Sequence, residues 1–228
     1  ITKDKKGNVI KEIIREYDEQ VSTTPQVMKE VCNTVFTNYP AQSYGLIYWS
    51  HGEGWKPMPL AATRWIGQDK GDGTTDYTNI DELKQVLASV PHLDFLLFDA
   101  CFMMTVEVAY ALRDEADYII ASPTEIPGPG APYDAIVAPM FRPTNAAIEV
   151  AKAYYDHYNA TYNSGIGNKD EEWTAGVSIA TLKTSALSNL ATATQRALSK
   201  AENINISAIK SSLFNYDQRS KSSSSYIG

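Results

Sequence analysis

A chain of 228 residues, 43% hydrophobic and 21% charged, can bury a large core and lacks the like-charge runs of a disordered protein. Its formal net charge of −7 argues against nucleic acid as a partner, because such proteins carry a basic face to neutralise phosphates. The cysteines, Cys32 and Cys101, are too few for a disulfide framework and fit no zinc spacing, and no apolar run reaches the roughly eighteen residues of a membrane helix.

The chain starts ITKDKKGNVIKEI, without an initiator Met or an apolar leader, so a trimmed or processed piece is expected and this end says nothing about compartment. GNVIKEIIREY, Gly7 to Tyr17, predicts one or two short strands after a turn at Lys6-Gly7-Asn8. Pro25 opens a helix with Val27, Val31, Val35 and Phe36 at helical spacing and Tyr39-Pro40 as its stop; Cys32 lies near its apolar face as an inert core thiol. YGLIYWS, Tyr44 to Ser50, is a continuous apolar strand that runs directly into HGEGW. Between Trp55 and Thr78 the residues Pro, Gly and Asp are frequent and no period is sustained, which predicts a long irregular excursion.

Asn79 opens the helix NIDELKQVLASV, and HLDFLLFDA follows as a second buried strand. MTVEVAYALRDEA reads as a helix, DYIIAS as a third buried strand and PTEIPGPGAPYD as a loop. A helix from Pro143 to Tyr158, a strand GVSIATL, a helix from Ser185 to Ala201 and a serine-rich end, with 219–228 as a mobile tail, complete the chain. Strands that are apolar throughout and alternate with helices predict a mostly parallel sheet covered on both faces, an α/β/α sandwich forming one domain over 1–228.

Loops at the carboxyl ends of parallel strands build the crevice of such a fold. His51 and Cys101 each follow a buried strand immediately, so both emerge at one sheet edge if those strands are parallel neighbours. Of the other histidines, His92 precedes the Cys-bearing strand and belongs at the opposite end, and His157 lies within a helix. A thiol acts as a nucleophile when a base or a positive setting makes it a thiolate, and the helix after Cys101 offers its amino end as a second influence. Gly52 lets substrate approach the backbone, and its N–H with that of Cys101 can bind the oxygen of a tetrahedral intermediate. The pattern points to acyl transfer.

YGLIYWSHGEGW, followed by LLFDACFMMTVEVAYALRDEADYIIASPTEIPGPGAPY, resembles the clostripain-like cysteine peptidases, relatives of caspases, gingipains and legumains, from about Tyr17 to Leu182. The resemblance implies a caspase-like fold, a Cys101–His51 dyad and cleavage after Arg or Lys, with Asp99 at the base of the S1 pocket. Asp99 and Cys101 lie two residues apart on an extended strand, so both can face one bound residue; the alternative for Asp99 is a structural acid that accepts nearby backbone N–H groups. Glu125 is a candidate second acid of that pocket. Trp55 and Tyr133 are candidates to line the cleft or to pack, and Glu107 is expected to hold a structural hydrogen bond.

Family members often cut themselves in the loop between His and Cys, where this chain offers Lys56, Arg64 and Lys70. Some depend on calcium, but GQDKGDGTTD lacks EF-hand spacing, so calcium is a candidate through the resemblance alone and no metal or other cofactor is required. The expected partners are proteins or peptides containing Arg or Lys, and the chain's own terminal segments. Relatives carry a further strand before this chain's start and continue past its end, so the sheet is expected to be incomplete, with an apolar edge open to a partner chain. Ser50 stands where an acid is frequent. Export to the periplasm, cell surface or medium is implied by the resemblance. A catalytically silent caspase-like module that binds basic peptides is the alternative; a flavodoxin-like nucleotide binder lacks the glycine-rich loop it would need.

Overall fold

The computed structural model describes residues 2–55, 65–71, 73, 75–162, 176–201, 205 and 207. Strands β1 (Thr2–Lys3) and β2 (Val9–Ile10) pair antiparallel around a turn in which the Asp4 carboxylate accepts the Lys6 and Asn8 amides. The strand expected to run on to Tyr17 stops at Ile10. Beyond it Ile13 is 75% exposed, so apolar character alone forms no strand where no neighbour supplies a ladder among the described residues.

Helix α1 (Pro25–Asn38) starts on Thr24, whose side chain accepts the Val27 amide, with Pro25 in the first turn where a missing N–H costs nothing. Strand β3 (Gly45–Trp49) follows. The stretch expected to be irregular contains a hairpin instead: β4 (Trp65–Asp69) pairs antiparallel with β5 (Asp76–Asn79), with a register shift between Ile66 and Gln68 where Gly67 adopts φ +87°. These strands carry too few apolar residues to announce themselves, and their order comes from packing, since Ile66 and Thr78 are fully buried.

Helix α2 (Ile80–Leu87), strand β6 (Leu93–Asp99), helix α3 (Val106–Ala111) and strand β7 (Ala116–Ala121) follow at the expected places, with α3 shorter at both ends than its sequence pattern. Helix α4 (Tyr133–Met140), absent from the sequence reading, precedes α5 (Ala146–Ala160). Pro139 within α4 and a single buried residue, Ile136, hid its helical pattern. Strand β8 (Ala180–Lys183) begins later than expected, and after a 3-10 turn at Thr184–Ala186 comes α6 (Leu187–Leu198). The tail 219–228 lies outside the described residues.

The main sheet has the order β3-β6-β7-β8, with β3, β6 and β7 parallel and β8 antiparallel to β7. Alternate residues of β6 feed two cores. Leu96 and Phe98, with Ala100 just past the strand, pack with α2, α3 and Leu187 of α6, whereas Phe95 and Leu97 pack with α4 and α5. The result is the expected α/β/α sandwich with a mostly parallel sheet. Trp49, on the edge strand β3, is 69% exposed.

The hairpin is joined to the sandwich through a capping box at the start of α2, in which the Asn79 side chain accepts the Glu82 amide and the Glu82 carboxylate accepts the Asn79 amide. Asn79→Ala should cost about 1 kcal/mol and lower the urea midpoint with an unchanged slope. An unchanged midpoint would contradict the stabilising role of this cap.

Candidate active site

The site is built from the pairing of β3 with β6, whose parallel register sets Tyr48 opposite Phe98 and Trp49 opposite Asp99. Continuing each strand by two residues brings the chain to His51 and Cys101, which therefore leave the sheet at the same edge. The loops after the strands touch. A Cβ at Gly52 would lie 2.8 Å from the Cys101 carbonyl oxygen and 2.9 Å from Met103 Sδ, and one at Gly54 would lie 2.3 Å from the Phe102 carbonyl oxygen. Only glycine permits this approach of the two backbones. Gly52 bridges to Ile66 of β4 through the Glu53 amide on the Trp65 carbonyl and the Gly67 amide on the His51 carbonyl; neither bond uses the Gly52 N–H. His51 is exposed and Cys101 half-buried.

Cys101 opens a tight turn rather than a helix. Phe102 takes φ +61°, a strained conformation for a bulky residue, while 95% buried, and its amide donates to the Thr124 carbonyl as that of Met104 does to Ser122. Helix α3 begins only at Val106, capped by Thr105, so its amino end is not adjacent to the thiol as the sequence implied. The loop after β7 supplies a donor instead: the Ile126 N–H points at Cys101 Sγ at 3.4 Å. No sequence signal marks a backbone amide delivered from a loop distant in the chain.

Asp99 is fully buried on the α4–α5 side of the sheet. Its Oδ2 accepts the Ala131 amide at 2.9 Å and the Tyr133 hydroxyl at 3.0 Å, and its Oδ1 accepts the Tyr154 hydroxyl at 3.1 Å. These donors offset the cost of burying a carboxylate. Gly130, at φ +76°, packs so closely that a Cβ there would lie 2.8 Å from Asp99 Oδ2, and the Tyr158 hydroxyl holds the Gly130 carbonyl at 2.6 Å. Burial first, and the Asp99 charge second, push the Tyr133 and Tyr158 phenols up to about 12, and the same two causes raise Tyr154. All three stay protonated at neutral pH. The sequence offered Tyr133 only as cleft lining or packing, and it missed Tyr154 and Tyr158, which helix spacing marks merely as core.

The remaining candidates are scattered. Glu125 is half-buried beside Ile126, and its backbone carbonyl accepts the Thr124 hydroxyl. Trp55 is half-buried and packs against the α2–α3 core. Lys70 is exposed just after β4; Lys56 and Arg64 lie outside the described residues. Ser50 donates its amide to the Asp99 carbonyl, and its hydroxyl accepts the Gln68 amide, so it joins β6 to the hairpin. Glu107 is exposed in the first turn of α3, and its side chain makes no hydrogen bond among the described residues. Burial pushes the thiol of half-buried Cys32 up, away from reactivity. His92 pairs with Asp117 at 3.1 Å at the opposite sheet end, and His157 is exposed on α5. Among the described residues no three His, Cys, Asp or Glu side chains gather to hold a metal ion, and no helix is long and apolar enough to cross a membrane.

Clostripain of Hathewaya histolytica is 36% identical to this chain over 123 residues, 49% of this chain and 23% of clostripain. A secreted C11 cysteine protease from Bacteroides thetaiotaomicron, solved in complex with an irreversible peptide inhibitor, is similar at a TM-score of 0.84 and 48% identity over 95% of this chain and 58% of its own. An inactive zymogen C11 protease from Parabacteroides distasonis is similar at a TM-score of 0.71 and 28% identity over 92% of this chain and 55% of its own. The chain thus spans less than two thirds of the length of these relatives. Its mostly parallel, helix-covered sheet matches their caspase-like fold. The profile of the clostripain family, peptidase C11, matches residues 1–228 throughout, and the chain belongs to that family.

Proposed function

We propose that this chain is the catalytic part of a cysteine endopeptidase that hydrolyses peptide bonds after Arg or Lys, with Cys101 as nucleophile and His51 as proton carrier. The observation that carries this reading is the parallel register of β3 and β6, which brings His51 and Cys101 out at one edge with Gly52 against the Cys101 backbone. Inhibitor-bound and zymogen relatives of the same family support it.

His51 takes the thiol proton, and the Cys101 sulfur attacks the scissile carbonyl carbon, forming a C–S bond as the carbonyl electrons move to oxygen. The N–H groups of Gly52 and Cys101 receive that oxyanion, and the Ile126 N–H aimed at Sγ favours negative charge on sulfur before attack. When the C–N bond breaks, His51 gives its proton to the departing amine. His51 then takes a proton from water, hydroxide displaces the thioester sulfur, and the thiol is restored. Asp99 meets the substrate's basic side chain, for which a buried carboxylate is a fitting partner.

Self-processing belongs to this reading: Lys70 is the candidate cleavage position among the described residues, with Lys56 and Arg64 alongside it in the sequence. Secretion of a similar protease supports an exported location.

Release of a fluorogenic amide after Arg or Lys should disappear in Cys101→Ala and fall by at least about a thousandfold in His51→Ala, with the urea midpoint unchanged in both. Hydrolysis that survives Cys101→Ala would exclude the thiol as nucleophile. Gly52→Ala, whose Cβ meets the Cys101 carbonyl, should lower kcat by about 10–100-fold with little effect on KM; an unchanged kcat would remove Gly52 from the oxyanion site. Asp99→Asn should lower kcat/KM for basic substrates by about a hundredfold, the worth of charged hydrogen bonds to the substrate, and near-parental rates would refute its S1 role.

A further inference from the structure

We propose that Tyr133 sets the preference between Lys and Arg at the cleavage position by occupying, on Asp99, the acceptor position that a guanidinium fork requires. This rests on the reading of Asp99 as the acid that receives the substrate's basic side chain.

An ionised carboxylate offers about four acceptor positions, two on each oxygen. In Asp99, Oδ2 carries the Ala131 amide and the Tyr133 hydroxyl, and Oδ1 carries the Tyr154 hydroxyl, so among the described residues the acceptor position without a donor is on Oδ1. An ammonium is a point charge that can bond one oxygen through any of its three donors. A guanidinium pairs best through two parallel N–H···O bonds, one to each oxygen. Asp99 is fully buried, so either cation reaches it only after the groups over it shift; lysine then needs only the Oδ1 position, whereas a bidentate arginine must also displace a donor from Oδ2.

The donors differ in how readily they leave. The Ala131 N–H is backbone, fixed by the contact of Gly130 with the carboxylate and by the Tyr158 hydroxyl on the Gly130 carbonyl. Tyr154 is fully buried in the α5 core. Tyr133, the first residue of α4, is 42% exposed and can turn toward solvent without opening the core. Its hydroxyl stays protonated at working pH because burial and the neighbouring carboxylate hold its pKa up to about 12, so it competes as a donor throughout.

The test measures kcat/KM on two fluorogenic amides that differ only in Lys or Arg, for the parent, Tyr133→Phe and Tyr133→Leu. The parent is expected to favour Lys, and the Arg-to-Lys ratio should rise on the order of tenfold in each variant that folds, reflecting loss of one competing hydrogen bond to a charge. A Tyr133 that only supports the fold changes both substrates by the same factor; a ratio within about twofold of the parent's, or a parent that favours Arg, overturns the proposal. If the parent cleaves neither amide, the peptidase reading fails by itself. Calorimetry with agmatine, a guanidinium, and cadaverine, an ammonium, then decides the role of Tyr133: a similar gain in relative agmatine affinity on Tyr133→Phe upholds it, and an equal ratio or no binding overturns it.

Discussion

The parallel pairing of β3 with β6 is the constraint on which the rest of the site depends. Strands in register deliver the residues that follow them to one level of one edge, so separate loops can be brought together without help from either loop's own stability. The glycines at 52 and 54 complete this by removing the side chains that would hold the two backbones apart. Beyond the strands the chain no longer follows the pleat: Phe102 is held at positive φ by its buried position and by the Thr124 carbonyl. Strain of this kind persists where surrounding contacts over-determine the backbone.

Asp99 is the second fixed point. A fully buried carboxylate at the end of β6 is tolerated because donors arrive from the loop before α4, from α4 and from α5. The same residue ties the loop 124–133 to the sheet while the Ile126 amide of that loop reaches the Cys101 sulfur. One segment thus touches both the proposed nucleophile and the proposed specificity acid.

Much of this was legible in the sequence, for physical reasons. Strands β3, β6 and β7 are long apolar runs, largely buried in β6 and β7, and such runs announce both their identity and a parallel, covered sheet. His51 and Cys101 could be put at one edge because each directly follows one of those runs. The β4–β5 hairpin was not legible, since Thr78 and Trp65 are buried by neighbours rather than by any alternating pattern of their own. The direction of β8 was equally hidden, because an apolar strand reads the same in either sense. Helix α4 escaped notice behind Pro139. The donors on Asp99 and on the sulfur come together only through tertiary folding, and two of them, the Ala131 and Ile126 amides, carry no side-chain signature at all.

The most direct test of the central claim, that β3 and β6 deliver a working His51–Cys101 pair, is covalent capture with a peptidyl acyloxymethyl ketone ending in Lys, followed by peptide mapping by mass spectrometry. One adduct is expected, on Cys101, formed far more slowly in His51→Ala and suppressed by excess peptide substrate. An adduct on Cys32, or labelling of Cys101 at the same rate without His51, would contradict it.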